Sequence, residues 1–260
     1  MAQRNIRMVV EYDGSGFHGF QVQPRLRTVQ GVLTEALQKL TREEVRVIGA
    51  GRTDAGVHAL GQVVNFFTAS TIPAERFAPA LNGMLPPDLR VRKSEEAEPG
   101  FHARYSALGK TYCYLVYRCR QGGALMRNYA LLYDGELDVS AMQEAANYAL
   151  GRHSFKAFCA SGSEVRSYVR NIKEFTVSEE RRWLKITVTA DGFLYHMVRN
   201  LAGTLLEVGK GQRRAEEMAR LLQEGERSQA GATAPPQGLY LVKIEYPGAH
   251  SLDSWQLPVV

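Results

Sequence analysis

The feature that most constrains the fold of this chain is one order of predicted elements that occurs twice. Apolar residues alternate or repeat with helical spacing so that each half gives strand, helix, strand, strand, helix, strand. The predicted strands cover residues 6–12, 45–48, 62–67, 89–92, 111–117, 169–177, 183–189 and 239–244. The predicted helices begin near Thr28, Pro73, Asp138 or Ser140, Met197 and Ala215.

This order is that of the ferredoxin-like, split β-α-β unit. Two such units side by side predict an α+β fold with a broad, mainly antiparallel sheet, helices on one face and a central cleft. The division between the halves is expected within residues 98–107. We therefore assign residues 1–105 to an N-terminal domain and residues 106–260 to a C-terminal domain.

Composition favours a water-soluble globular protein, because 45% of the 260 residues are hydrophobic and 23% are charged. No apolar run approaches the roughly 18 residues that a membrane span requires. The first residues lead directly into strand-like sequence, without the apolar core of a signal peptide. The three cysteines form no C-x-x-C pair, so we expect a reduced, cytoplasmic setting and no disulfide scaffold.

The net charge of +5 is compatible with a polyanionic partner, but many soluble enzymes carry a similar surplus. The basic residues are grouped at predicted strand ends and in loops, where they could line the rim of a groove or simply face solvent. The groups are Arg25 with Arg27, Arg118 with Arg120 and Arg127, Arg166 with Arg170, and Lys210 with Arg213 and Arg214.

A glycine pattern after the first predicted strand, Gly14 to Gly19, matches G-x-G-x-x-G. A dinucleotide site requires that this pattern open a helix, whose N-terminus then binds the pyrophosphate. Here Phe20 to Pro24 follow as a loop, and the helix begins only near Thr28. The pattern therefore argues against a dinucleotide site, and the sequence contains no P-loop motif.

The most informative stretch is the glycine-rich segment 49–59, with the core Arg52-Thr53-Asp54. Three glycines between two predicted strands indicate a tight loop with unusual backbone angles. A plain hairpin connection is one alternative. Another is a metal site that uses Asp54 and His58, but a third ligand is lacking.

Segment 51–58, Gly-Arg-Thr-Asp-Ala-Gly-Val-His, resembles the catalytic signature of the tRNA pseudouridine synthase A family. The resemblance extends over nearly the whole chain. The other matching motifs, in order, are 12–21 with 28–30, 101–104, 110–114, 193–200 and 234–241.

The resemblance implies isomerisation of uridine to pseudouridine at positions 38, 39 and 40 of the tRNA anticodon stem-loop. This reaction is redox-neutral, so no cofactor and no metal are expected. The expected partner is tRNA, bound in the central cleft, and members of the family act as homodimers. The order of the chemical steps at base and ribose does not follow from the sequence.

The resemblance also assigns roles to individual residues. Asp54 corresponds to the catalytic nucleophile or charge-stabilising carboxylate, and Arg199 to its charge partner. Tyr112 corresponds to the residue that stacks on the uracil, and Arg52 to the one that flips and positions the base. The alternatives are a surface helix arginine for Arg199 and a core strand tyrosine for Tyr112.

Two other functions fit part of these observations. A non-catalytic RNA-binding module would account for basic clusters and strand aromatics, but has no use for an acid in a glycine loop. A nucleoside hydrolase would release free uracil. We assign no role to His58, His102, Arg104 or the cysteines.

Overall fold

The structure of the chain, a computed structural model, describes residues 3–162 and 165–248. These residues form two compact units. The first contains residues 3–108 and 241–248, and the second contains residues 109–162 and 165–240. The structure thus divides after Leu108, where the sequence places a division between residues 105 and 106, and the last strand enters the first unit.

The first unit contains a ferredoxin-like set of elements. They are β1 (Arg4–Tyr12), α1 (Val29–Thr41), β2 (Ile48–Gly49), β3 (His58–Thr68), α2 (Phe77–Asn82) and β4 (Leu89–Ala97). The strand order is β4-β1-β3, with β2 also paired to β3, and all of these pairings are antiparallel. The strands β1 and β2, which α1 connects, therefore lie on either side of β3, as a split β-α-β unit requires.

Local sequence explains where α1 begins and ends. The Thr28 hydroxyl accepts a hydrogen bond from Gly31 N at 3.3 Å, which satisfies one of the amide groups at the helix start. The helix ends at Arg42, whose φ of 59° is left-handed. Its apolar stripe, Leu33 and Leu37, is fully buried together with Phe66 of β3 and Phe77 of α2.

The second unit repeats this plan with additions. Its elements are β5 (Gly109–Arg118), β6 (Leu131–Tyr133), α3 (Val139–Tyr148), β7 (Gly151–Ser154), β8 (Val169–Glu180), β9 (Trp183–Ala190), α4 (Met197–Gly209) and α5 (Glu217–Glu224). The order β5-β9-β8-β7 is antiparallel, whereas β6 pairs in parallel with β5. The strands β5 and β8 flank β9, which is again the split arrangement.

Close packing joins the helices of this unit to each other and to the sheet. A Cβ on Gly209 of α4 would lie 2.6 Å from the Met142 sulfur of α3, so the Met142 side chain packs against the α4 backbone at this glycine. The Gln143 side chain of α3 donates to Phe175 O of β8 at 3.1 Å and accepts from Val177 N at 2.7 Å. These bonds fix α3 on β8.

The last strand, β10 (Leu239–Glu245), starts in the second unit, and residues 241–245 belong to the first. Within the first unit β10 pairs with β3. The two strands approach so closely that a Cβ on Gly61 would lie 2.5 Å from Val242 O.

The α+β class and the mainly antiparallel pairing predicted from the sequence are confirmed. The strand predicted at 45–48 is wrong, since only Ile48–Gly49 forms a ladder. Val45 and Val47 are buried, which produces the alternating pattern, but Val47 O accepts from the Gln30 amide at 2.8 Å instead of from a strand. The short strands β6 and β7 carried no sequence signal strong enough for a prediction.

The connection between the strands predicted at 169–177 and 183–189 is shorter than these bounds imply. Strand β8 continues to Glu180, and Arg181 makes the turn with a φ of 56°. Within residues 3–162 and 165–248, no helix has both the length and the apolar character that crossing a bilayer requires.

A buried thiol on β5 makes the stability of the fold sensitive to alkaline pH. Burial raises the pKa of Cys113 from 9.0 to about 11, although Thr187 donates to its sulfur at 3.6 Å. The unfolded chain therefore loses this proton first. The stabilisation is complete below pH 9 and is lost as pH rises towards 11, by roughly 2–3 kcal/mol.

We predict that Cys113→Ser lessens the fall of the melting temperature between pH 9 and 11, because the serine hydroxyl does not titrate there. Thermal unfolding followed by circular dichroism at several pH values measures this slope. The matched control is Cys119→Ser, which changes a half-buried thiol and should leave the slope as in the parent. Equal slopes for parent and Cys113→Ser would contradict the prediction.

Candidate active site

The candidate site in the first unit is the Asp54 loop (residues 50–57), which connects β2 to β3. Its conformation depends on Gly56, whose φ of 78° is left-handed. Gly51 O accepts from the Gln62 side chain at 2.8 Å, and Val57 N donates to Asp54 O at 3.2 Å. Asp54 is half-buried in this turn, and the preceding Thr53 is buried. The backbone that carries the Asp54 carboxylate is therefore held within the fold.

A second stretch, the bracing segment (residues 13–20), packs directly against the Asp54 loop. Phe20 N donates to Thr53 O at 3.0 Å, and Gly56 N donates to Phe17 O at 3.4 Å. A Cβ on Gly14 would lie 2.1 Å from Val57 O. A Cβ on Gly19, where φ is 85°, would lie 2.7 Å from Thr53 O.

These contacts give the glycines of the G-x-G-x-x-G pattern a different use from nucleotide binding. They allow two backbone segments to approach each other within the first unit. The residues Gly14–Gly16 form only a 3-10 turn, and α1 begins at Val29. The helix N-terminus that a dinucleotide site requires is therefore not placed at this pattern.

His58, to which the sequence assigned no role, holds the bracing segment in place. Its side chain is 2% exposed, and Nδ1 accepts a hydrogen bond from Gly14 N at 3.0 Å. The Asp13 carboxylate lies 3.3 Å from the same nitrogen and also accepts from Ser15 N at 2.9 Å. Within residues 3–162 and 165–248, no cluster of three or more His, Cys, Asp and Glu side chains could hold a metal.

Arg52 is exposed and lies two positions before Asp54 on the same loop. The loop therefore carries a cation and a carboxylate close together in sequence, on a backbone that other residues fix. Thr53, which lies between them, is buried, so Arg52 and Asp54 are the residues of this tripeptide that reach solvent.

Tyr112 lies on β5 in the second unit. It is 7% exposed, and its ring meets that of Phe193 edge-on, with centroids 5.1 Å apart and an interplanar angle of 85°. The next tyrosine on the same face of the strand, Tyr114, is fully buried and donates to Pro235 O at 2.9 Å. Tyr114 is thus a core residue, while Tyr112 keeps a small accessible area.

Arg199 lies in the first turn of α4 and is not a surface helix arginine. It is half-buried, and its Nε donates to Ala234 O at 2.7 Å. The amide of Ala234 in turn donates to Arg199 O at 3.1 Å. The charge of Arg199 lowers the pKa of Tyr114, although burial has the larger, opposite effect and raises that pKa overall.

A buried network supports the segment that holds Arg199. Asn200 accepts from Arg227 at 3.0 Å and from Thr233 at 2.7 Å, and its own amide donates to Phe158 O at 2.8 Å. A Cβ on Gly203 would lie 1.7 Å from Ala232 O, so segment 231–235 lies directly on α4. Asn200 ends a matching motif in the sequence, whereas Arg227 carried no sequence signal.

Several of the basic residues grouped by the sequence are paired with carboxylates. Arg27 binds both oxygens of Asp88 at 2.8 Å and lies 4.0 Å above the Phe17 ring. Arg118 forms ion pairs with Glu136 and Glu179, and Arg213 forms ion pairs with Glu207 and Glu217. The exposed members are Arg25, Arg27, Arg120, Arg127, Arg166, Lys210 and Arg214, and of these Arg27 is the one with an ion pair described above. The basic surface is therefore smaller than the sequence groups suggest.

Comparison with known proteins gives consistent matches over the chain. The family model described as tRNA pseudouridine synthase matches residues 8–106 and 145–247. A protein named tRNA pseudouridine synthase A from Acetivibrio thermocellus is 47% identical over 94% of this chain and 100% of its own length. Proteins of the same name from Syntrophomonas wolfei and Ruminiclostridium cellulolyticum are each 48% identical, over 93% and 94% of this chain and 97% and 100% of theirs.

Among solved structures, a chain of a Cbf5-Nop10-Gar1 complex is 12% identical, with a TM-score of 0.36. The match covers 90% of this chain and 57% of the solved one.

The family model and the similar proteins agree on one class of protein, an RNA-modifying enzyme. The chain belongs to the tRNA pseudouridine synthase family, whose members are isomerases that act on uridine in tRNA.

The close approach of Gly14 to the Asp54 loop predicts a specific sensitivity. We expect Gly14→Ala to displace Val57 and with it the Asp54 loop. The free energy of unfolding should fall by about 1–3 kcal/mol, and isomerase activity should fall with it. Gly83→Ala is the control, since a Cβ there would lie 3.5 Å from its nearest neighbour. Chemical denaturation and a tRNA turnover assay measure both. Parental activity in Gly14→Ala would show that the loop does not depend on this approach.

Proposed function

We propose that this chain converts uridine to pseudouridine at positions 38, 39 and 40 of the tRNA anticodon stem-loop, with Asp54 as its catalytic carboxylate. The bond between N1 and C1′ breaks, the uracil turns, and a bond between C5 and C1′ forms. The proton lost from C5 is balanced by one gained at N1, so no oxidant or reductant enters. The observation that carries the proposal is the braced loop that presents Asp54 beside exposed Arg52.

The carboxylate of Asp54 has three possible points of action: addition to the base, addition to C1′, or removal of a ribose proton. Each requires an ionised oxygen held at a defined distance from the nucleotide. The hydrogen bonds at Gly51, Thr53 and Val57 support this role, because they fix the backbone on both sides of the acid.

We assign to Arg199 the role of charge partner for Asp54 when the nucleotide is bound. The bond from its Nε to Ala234 O limits the directions in which the guanidinium can point. A guanidinium held in this way can form short, charge-assisted hydrogen bonds without a large further loss of side-chain entropy.

We assign to Tyr112 the role of keeping the detached uracil in place while it turns. An aromatic plane binds a base through its face without fixing the rotation of the base. The edge-on contact with Phe193 holds the Tyr112 ring in one orientation, which supports this role. A tyrosine hydroxyl can also take part in proton transfer, here at C5 of the uracil.

Binding of tRNA would depend mainly on phosphate contacts of the exposed basic residues, so affinity should fall steeply with salt. Because the target positions lie in different sequences, RNA shape would matter more than base edges. We also propose a homodimer and a cytoplasmic setting. Both rest on the family resemblance, and the setting also on the cysteine content.

The central test is Asp54→Asn, which removes the charge and preserves the shape of the side chain. We expect tRNA binding to persist and pseudouridine formation to fall by at least a thousandfold, because the variant has no ionised group at this point. The control is Glu98→Gln, the same change at an exposed position of the first unit, which should retain parental turnover. Tritium release from [5-³H]uridine-labelled tRNA measures turnover, and filter binding measures affinity.

The outcomes separate this function from the other two. A binding module gives no turnover in the parent protein either. A nucleoside hydrolase releases free uracil and lowers the mass of the RNA, whereas isomerisation leaves the mass unchanged. Turnover by Asp54→Asn at the parental rate would remove Asp54 from the mechanism.

Arg52 is proposed to hold the base outside the stem, and this gives a test based on the substrate. A paired uridine costs a few kcal/mol to extrude, and a mismatch lowers that cost. We expect Arg52→Ala to slow the isomerisation of a paired uridine. On a tRNA in which the opposite nucleotide is mismatched, the variant should recover part of the parental rate. Single-turnover rates on the two tRNAs measure the effect. An equal defect on both substrates would rule out a role in extrusion.

A further inference from the structure

We propose that Tyr12 and Gln62 are positioning residues for the reaction, which hold the Asp54 loop through Thr53 and Gly51. Neither lies on the loop, and both are almost completely buried in the first unit, at 4% and 0% exposure. The inference rests on the proposed function in so far as Asp54 is the group being positioned. It adds two residues that would act on the reaction without contact to the substrate.

The geometry anchors the loop at two residues before Asp54. The Gln62 side-chain nitrogen donates to Gly51 O at 2.8 Å. The Tyr12 hydroxyl lies 2.8 Å from the Thr53 hydroxyl, in a buried hydrogen bond. The Gln62 side chain also interacts with the Tyr12 hydroxyl, which lowers the pKa of Tyr12 against the larger effect of burial. The stretch that leads to Asp54 is therefore held by the backbone oxygen of Gly51 and by the side-chain hydroxyl of Thr53.

The side-chain amide of Gln62 uses both of its polar ends. Its oxygen accepts from Val63 N at 3.2 Å, and its nitrogen donates to Gly51 O. In the bond between the Tyr12 and Thr53 hydroxyls either oxygen can be the donor. Within residues 3–162 and 165–248 no buried side-chain nitrogen or oxygen lacks a hydrogen-bond partner, so breaking a link leaves a polar group unsatisfied.

Two observations assign Tyr12 a positioning role and exclude proton transfer. Its hydroxyl is buried against Thr53 and does not reach the solvent-facing side of the loop. Burial also raises the pKa of Tyr12 to about 12, so the phenol stays protonated over the range in which the enzyme is assayed. Any effect on the reaction must pass through the position of Asp54, and small displacements of a reacting group are costly.

The test is Tyr12→Phe in the full-length protein, which removes one hydroxyl and keeps the ring. We expect kcat to fall about tenfold, as for the loss of about 1.4 kcal/mol of positioning. KM for tRNA should be unchanged, because the phosphate contacts are untouched. The shape of the pH profile should also be unchanged, because Tyr12 does not titrate in that range.

The chain offers a matched control in Tyr246→Phe. Tyr246 is 8% exposed, belongs to the same unit, and donates to Ala103 O at 2.7 Å, so this variant also loses one buried hydroxyl bond. It should lose a similar amount of thermal stability and keep the parental kcat. If Tyr246→Phe lowers kcat as much as Tyr12→Phe, the effect is one of general stability and the proposal is wrong.

A second pair covers the case in which Tyr12→Phe does not fold. Thr53→Ser keeps the hydroxyl that Tyr12 contacts and should keep most of kcat, whereas Thr53→Val removes it and should lower kcat about tenfold. In the double variant Tyr12→Phe/Thr53→Val the two losses should not add, because both remove the same link. Additive losses, or equal rates for the serine and valine variants, would overturn the proposal.

Asp54→Asn, measured in the same assay, separates failure of this inference from failure of the proposed function. If Asp54→Asn is inactive and Tyr12→Phe has the parental kcat, the positioning role alone is wrong. If Asp54→Asn is active, the function assigned to Asp54 is wrong whatever Tyr12→Phe does. A rise in KM with constant kcat in Tyr12→Phe would mean that the network serves tRNA binding and would overturn the positioning role.

Discussion

The first unit depends on the contact between the bracing segment and the Asp54 loop. An isolated glycine-rich loop would sample many conformations, and each would place a carboxylate differently. Here two backbones touch at Gly14 and Gly19, and the buried Tyr12 and His58 side chains fill the space behind them. The conformational entropy of the loop is therefore lost on folding, before any RNA binds. That is the condition for a reaction that relies on one well-placed acid.

How much of the structure could be predicted from the sequence depends on the range of the interactions. The cap at Thr28 and the apolar stripe that follows it are local, and α1 begins where they indicate. Burial without a strand ladder at Val45 and Val47 gave the same pattern as a strand, so the prediction there failed. The Tyr12–Thr53 bond spans 41 positions and leaves no local periodicity. A single sequence cannot reveal it.

The range of the interactions also explains why the ion pairs of the basic residues were not predicted. Arg27 and Asp88 are 61 positions apart, and so are Arg118 and Glu179, so neither pairing is visible in a count of charges. Motif resemblance supplied the candidate residues Asp54, Arg52, Tyr112 and Arg199, because the matching segments are long. It could not supply Gln62 or Arg227, which contribute through hydrogen bonds inside the fold.

The path of β10 has a consequence for synthesis on the ribosome. The edge of β3 that residues 241–245 cover stays open while the second unit is being translated. An open strand edge can pair with any other extended chain, so nascent molecules pass through an interval of vulnerability to misassembly. The acid-bearing unit is thus completed only after the second unit has been translated, and chaperones that shield strand edges would act during that interval.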